Sequence, residues 1–137
     1  MTAAEEVTQR VRAYLNQPHT ITTDAAAYLT ARVQNLHVRD TAWSLMDRAT
    51  GRLHADLWRG VAALTPDTLI VLPVLGLLGM AGWIGGDGAL ANVALERAEQ
   101  VPDSTRYTML HLLQTVIDNA VPPSAWDQMV TDLRRIL

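Results

Sequence analysis

From Leu69 to Ile84 the chain reads LIVLPVLGLLGMAGWI, a run without a single charged residue. A helix that is apolar on every side has no face to give to water, so it must be enclosed by protein or by lipid. The turn Gly85-Gly86-Asp87-Gly88 then leads into GALANVALERAE, where Leu90, Ala91, Ala94, Leu95 and Ala98 recur at helical spacing. These two segments predict a pair of antiparallel helices, about 73–84 and 88–100, with Asp87 capping the second. Gly79, Gly82 and Gly86 fall within about 60° of one another on a helical wheel. Each glycine inside a helix costs about 1 kcal/mol relative to alanine, so their alignment predicts close approach of the neighbouring backbone.

Membrane association through residues 69–86 is the competing expectation for this run, and Gly82 with Gly86 has the spacing of a membrane helix contact. Against it stand Pro73, five glycines and the acidic flanks Asp67 and Asp87, with no adjacent arginine to fix orientation. A buried helix of a water-soluble fold is the expectation carried forward.

Helical periodicity continues along the chain, with no sustained alternation of period two. A first helix is expected over about 3–16, with Ala4, Val7, Val11, Tyr14 and Leu15 on one face and Pro18 ending it. Thr22 or Thr23 caps a second helix whose stripe is Leu29, Val33 and Leu36, running to about His37. A restart follows near Val38 to Trp43 with Asp40 as its cap, Ala42, Leu45, Met46 and Ala49 inward, and Gly51 as its stop. Leu53, Leu57, Val61 and Leu64 mark a fourth helix over about 52–64. A seventh helix runs from Ser104 to Asn119, with Leu110, Leu113, Val116 and Ile117 inward. Ser124 and Asp127 form a capping-box pattern for the last helix, striped by Trp126, Met129, Val130, Leu133, Ile136 and Leu137. The expected fold is therefore all-α: about eight antiparallel helices in a single domain, residues 1–137, with the central hairpin as its organiser.

Two resemblances attach to the central segment. Leu78, Gly79, Gly86, Ala91, Leu95 and Ala98 share the register of a single tetratricopeptide repeat, although Gly82 stands at the repeat's aromatic position and Pro102 comes one residue early. Arg39-Asp40 with Trp43, then Pro73 and the apolar helix, then GGDGALANVALERA and Pro122-Pro123-Ser124-Ala125-Trp126, resemble the C-terminal helical half of the actinobacterial domain-of-unknown-function 4192 family. That resemblance covers about residues 36–127. It implies a helical fold and an actinobacterial or phage lineage, with the family's α/β companion half missing here, and it implies no activity.

The chemistry-bearing residues are sparse. His19, His37, His54 and His111 form none of the paired motifs of a metal site, and cysteine is absent, so no metal and no cofactor is expected. No Gly-x-Ser-x-Gly elbow or phosphate-binding loop occurs, and at Gly85–Gly88 the Asp87 carboxylate would repel an anion. Formal net charge is -3, and all eleven cations are arginine, interspersed with acids, so nucleic acid is not an expected partner. Arg39, Asp40 and Trp43 are the best polar candidates: a guanidinium lying on the indole, or an internal brace in which Asp40 caps its helix. With Trp58 and Trp126 they make up the candidate partner-binding residues, while Gly79, Gly82, Gly86 and Asp87 are structural. The expected function is a non-catalytic helical module that binds a protein partner, cytoplasmic given its polar, acidic start, and homodimeric through its last two helices. The alternatives are a small-molecule or enzymatic site around Arg39, Asp40 and Trp43, and the membrane association above.

Overall fold

A computed structural model describes all 137 residues, and every regular element in it is helical. Eight α-helices follow one another: α1 (Ala3–Asn16), α2 (Thr23–Arg32), α3 (Leu36–Ser44), α4 (Gly51–Ala63), α5 (Leu72–Ile84), α6 (Gly88–Glu99), α7 (Thr108–Asp118) and α8 (Trp126–Ile136). Three single 3-10 turns, Leu69–Val71, Ser104–Arg106 and Pro123–Ala125, lead into α5, α7 and α8.

All 13 residues of α5 are buried. It packs most extensively against α4 and α6, and also against α7 and α3. This is the protein-enclosed outcome for an all-apolar helix. At 1.5 Å per residue α5 is about 20 Å long, short of the roughly 30 Å of a bilayer core. No helix is long and apolar enough to cross a membrane. One core of 35 buried apolar residues draws on every α-helix.

The glycines divide their work differently from the expected single stripe. A methyl group on Gly82 would meet the Ala91 amide nitrogen and the Asp87 carbonyl oxygen, each at 3.2 Å, so here α6 does approach backbone to backbone. At Gly79 the space is filled by the Leu113 side chain of α7, with Ala94 beside it. Gly86 touches nothing; it is exposed, with φ of 80°, and serves the left-handed position that ends α5. The tightest crossing involves Gly51, where a methyl group would lie 2.6 Å from the Gly85 nitrogen. Gly51 is thus not the stop of a third helix but the first residue of α4, wedged against the end of α5.

Local capping explains the starts of α1, α2, α3 and α6. Thr2 and Glu5 form a reciprocal capping box, and Thr22, Asn35 and Asp87 each accept an amide of the first turn. Asn35 is the cap that separates α2 from α3, so α2 stops at Arg32 and α3 begins at Leu36, whose side chain is exposed. Asp40 accordingly lies inside α3 and caps nothing. The chain leaves α3 at Ser44, so Met46 is buried while Ala49 is exposed in the Asp47–Thr50 turn. Leu64 falls just past α4 and is exposed too. Tyr107 is extended and divides the expected seventh helix. Ser124 lies in a 3-10 turn and makes no cap, because Asp127 is drawn to Arg48 at 2.7 Å.

The far ends of three helices are closed by arginines reaching from other elements. Arg97 on α6 donates to the Ala62 and Thr65 carbonyls and pairs with Asp67, fixing the end of α4. Arg134 on α8 gives two bonds to the Ser44 carbonyl at the end of α3, and Arg52 on α4 donates to Gly85 after α5. A cation at a helix C-terminus satisfies free carbonyls and complements the negative end of the helix dipole.

His54 is fully buried on α4 and neither ring nitrogen has a hydrogen-bond partner; Trp58, one turn along, is also fully buried with an unpaired indole nitrogen. Burial lowers the His54 pKa to about 4, with Asp47 and the Leu45 backbone pulling weakly the other way. In the unfolded chain the ring takes a proton below about pH 6.5, whereas the folded chain refuses it down to about pH 4. Stability is therefore constant above that window and falls as pH drops through it. Urea titrations should show about 2 kcal/mol lost between roughly pH 7.5 and pH 5, and His54→Leu should flatten that dependence. In the same assay at neutral pH, Gly51→Ala should cost about 2–3 kcal/mol through overpacking, whereas Gly88→Ala, which meets open space, should be neutral or slightly stabilising.

Candidate functional site

The structure brings Arg39 and Asp40 to a partner the sequence did not single out, Tyr107. Arg39 projects from α3 and is buried, with 7% of its surface exposed. Its Nε and Nη2 donate to Asp40 Oδ1 at 2.9 and 2.7 Å, and its Nη1 donates to the Tyr107 hydroxyl at 2.9 Å. The guanidinium carbon lies 5.5 Å from the centre of the Tyr107 ring. Burial opposes the charge on Arg39, but the bonds to Tyr107 and Asp40 outweigh it and hold the guanidinium ionised. Burial also pushes the Tyr107 phenol above its ordinary value against the pull of Arg39, so it remains a neutral hydroxyl. The cluster is an internal brace between α3 and the start of α7.

The other candidates do not converge on it. Trp43 is half-buried and stacks on Trp126 with ring centres 5.1 Å apart, rather than lying under Arg39. Trp126 itself is 1% exposed and donates its indole N–H to the Met46 carbonyl, and Trp58 is fully enclosed. Neither Trp58 nor Trp126 presents a surface to a partner; both are core residues, as their helical spacing against α3 and α5 requires. His37 is exposed and faces a separate open cleft of about 720 Å³ between α1, α3 and α8. The arginines are likewise dispersed: Arg10 and Arg32 flank the Tyr28 ring, Arg32 also reaches Glu6 at 3.6 Å, and Arg39 is interior. No three histidines or acids are gathered in metal-binding geometry.

What Tyr107 supports is a surface. Its ring, with Leu69, Leu72, Asp103 and Arg106, lines a hollow of about 360 Å³. Across the 3-10 turn Leu69–Val71 lies a second, more apolar groove of about 440 Å³, walled by Ala27, Thr30, Ala31 and Gln34 of the α2 segment and by Leu64, Thr65, Pro66 and Ile70. Leu69 and Ile70 form the ridge between the two depressions, 57% and 42% exposed, and Leu64 is 46% exposed. Leu69 lines the hollow and Ile70 the groove, so these two neighbouring exposed residues link, as one strip, a mostly apolar groove to a hollow that also carries Asp103 and Arg106. Scattered exposed leucines are ordinary, but a contiguous set around a concavity marks a contact surface.

The side-chain donors inside the groove are already engaged. Gln34 Nε2 donates to both the Thr30 and Ile70 carbonyls, at 2.9 and 2.8 Å, and the Thr30 and Thr65 hydroxyls are 3.1 Å apart. Arg97 fixes the Ala62–Asp67 stretch from behind. The groove wall is thus held open by bonds that do not depend on an occupant.

A family model described as "Domain of unknown function (DUF4192)" matches residues 1–124. The chain belongs to this family. The match takes in α1 and α2 as well as the region from about residue 36 that carries the resemblance in sequence, and it ends before α8. Neither a curated protein nor a solved structure matches the chain. In this DUF4192 chain, therefore, the strip has to be understood from its own chemistry.

The sequence offered only a faint trace of the strip. Leu69 and Ile70 belong to the uncharged run but precede the helix expected from about residue 73, and Tyr107 falls inside the helix expected from Ser104 to Asn119. The brace is open to direct test by denaturant unfolding. Tyr107→Phe should cost about 2 kcal/mol by leaving a buried guanidinium donor unpaired. Arg39→Lys should fare no better, because an ammonium cannot make the forked contact to Asp40 and still reach Tyr107.

Proposed function

We propose that this protein is a non-catalytic, helical protein-interaction module whose docking surface is the strip centred on Leu69 and Ile70. The observation that carries this is the exposed apolar ridge set between two preformed concavities. Burying apolar side chains of this size is worth about 1.5–3 kcal/mol each, and a rigid groove adds little ordering cost on binding. The pairing of Arg39 with Asp40 and Tyr107 supports a mechanical role for that cluster, since its hydrogen-bonding groups are spent on holding the strip's edge.

A cytoplasmic setting in an actinobacterium or its phage fits the absence of cysteine and the all-arginine cation set.

Affinity capture from actinobacterial lysate tests the proposal. The intact chain should retain one stoichiometric protein, and the pair Leu69→Glu with Ile70→Glu should lose it. Val93→Glu, at an exposed apolar position on α6 that lines neither the groove nor the hollow, should retain it. Retention by the ridge variant equal to that of the unaltered chain would remove the strip from consideration.

A further inference from the structure

The hollow beside Leu69 holds one acid and one base that the fold leaves unused. We infer that it is a binding site for a free α-amino acid with an apolar side chain, its ammonium on Asp103, its carboxylate on Arg106 and its side chain against Leu69, Leu72 and Tyr107. Occupancy of the hollow is independent of what fills the groove on the other side of the ridge.

The hollow measures about 360 Å³, and two charged residues line it together with two leucines and a tyrosine. That volume falls at the lower end of the range for small-molecule sites. Leu72, 3% exposed, forms the floor, and the exposed Leu69 forms the rim. The bond from Arg39 to the Tyr107 hydroxyl fixes the aromatic wall without help from an occupant. The hollow is therefore formed before anything enters it, which lowers the ordering cost of binding.

This chain spends its arginines freely on its own structure. Arg32, Arg39, Arg48, Arg59, Arg97 and Arg135 hold carboxylates, Arg52 and Arg134 hold carbonyls, and Arg10 lies over the Tyr28 ring. Arg12 and Arg106 are the exceptions, and Arg106 shares its hollow with an acid, Asp103, that is also without an ion pair. The two stand three residues apart across the Ser104–Arg106 turn, yet they do not pair with each other. Arg39, behind Tyr107, is already answered by Asp40 at 2.7 Å, so Asp103 and Arg106 set the polarity of the hollow.

That arrangement selects among ligands. One of a single charge would meet its own sign on one of the two residues, and an uncharged apolar one would take water from both and return nothing. An α-amino acid carries its ammonium and carboxylate on one carbon, beside the side chain, and so answers acid, base and apolar wall together. Within a peptide chain the same two charges are lost to amide bonds, which leaves the free amino acid as the fitting form. Two charge-assisted hydrogen bonds and one partly covered side chain, in a hollow open to water, correspond to a dissociation constant on the order of a millimolar.

NMR titration of the intact chain with L-leucine, N-acetyl-L-leucine and L-leucinamide separates the contacts. Leucine should shift the amide signals of Leu69, Leu72, Asp103, Arg106 and Tyr107. It should also bind about fivefold more tightly, or better, than either derivative, since one lacks the ammonium and the other the carboxylate. Asp103→Asn keeps a residue that tolerates the left-handed backbone at this position, where φ is 65°. It should abolish the preference for leucine over N-acetyl-leucine and keep the preference over leucinamide. Arg106→Gln should do the reverse. Loss of one preference with retention of the other separates a lost contact from a damaged fold. Unmoved signals at these five residues, equal binding of the three compounds, or a variant that keeps both preferences or loses both overturns the assignment.

Discussion

A helix with no polar face imposes a demand on everything around it. α5 has to be covered on all sides, and the remaining helices are arranged to do so, with α4 and α6 alongside and α7 and α3 completing the cover. Coverage at this density depends on small residues. α6 comes against the backbone at Gly82, Leu113 of α7 enters the notch at Gly79, and the start of α4 crosses the end of α5 at Gly51 and Gly85. Side chains at these points would hold the surrounding helices away and open the voids that native packing excludes.

Enclosure creates a second problem, which arginine solves. Short helices packed around a centre bring their C-terminal carbonyls close to other helices rather than into open water. Those carbonyls need donors, and Arg97, Arg134 and Arg52 provide them for α4, α3 and α5 from elements distant in sequence. The indoles of Trp83 and Trp126 do the same for the Val121 and Met46 carbonyls. A guanidinium presents several donors in a fixed fork, so one side chain can hold two carbonyls or grip one twice. The same bonds that end α4 also shape the stretch between α4 and α5, and there the apolar residues that found no place inside, Leu64, Leu69 and Ile70, emerge at the surface. The strip is thus a consequence of how the core is closed, with Arg97 on one side of it and the Arg39–Tyr107 brace on the other.

Buried polarity without partners sets the limit on stability. His54 sits inside with both ring nitrogens unpaired, and its neutrality is a condition of the fold. Trp58 shares that environment one turn away. Their aromatic bodies contribute core volume that smaller residues would not, while their nitrogens reduce the net gain.

The sequence by itself determined that the chain is all helical, that α5 is its buried centre, and that α6 follows it through a glycine turn capped by Asp87. These outcomes rest on periodicity, on capping side chains within three residues of their targets, and on the solvation of an apolar helix, all of which act locally. It also carried enough pattern in the Arg39–Trp43 region and in GGDGALANVALERA to show the family resemblance. Only the tertiary structure decided that Gly51 is a crossing point and Gly86 a turn, that Asn35 rather than Asp40 caps α3, and that Trp58 and Trp126 are interior. It alone joined Arg39 to Tyr107 and brought Ile70 and Ala31 to the walls of one groove. Apart from the Asn35 cap and the Gly86 turn, which are local, each of these turns on which residues, far apart along the chain, come to share a boundary. Spacing in a sequence encodes the direction of a side chain from its own helix axis, but not what stands in front of it.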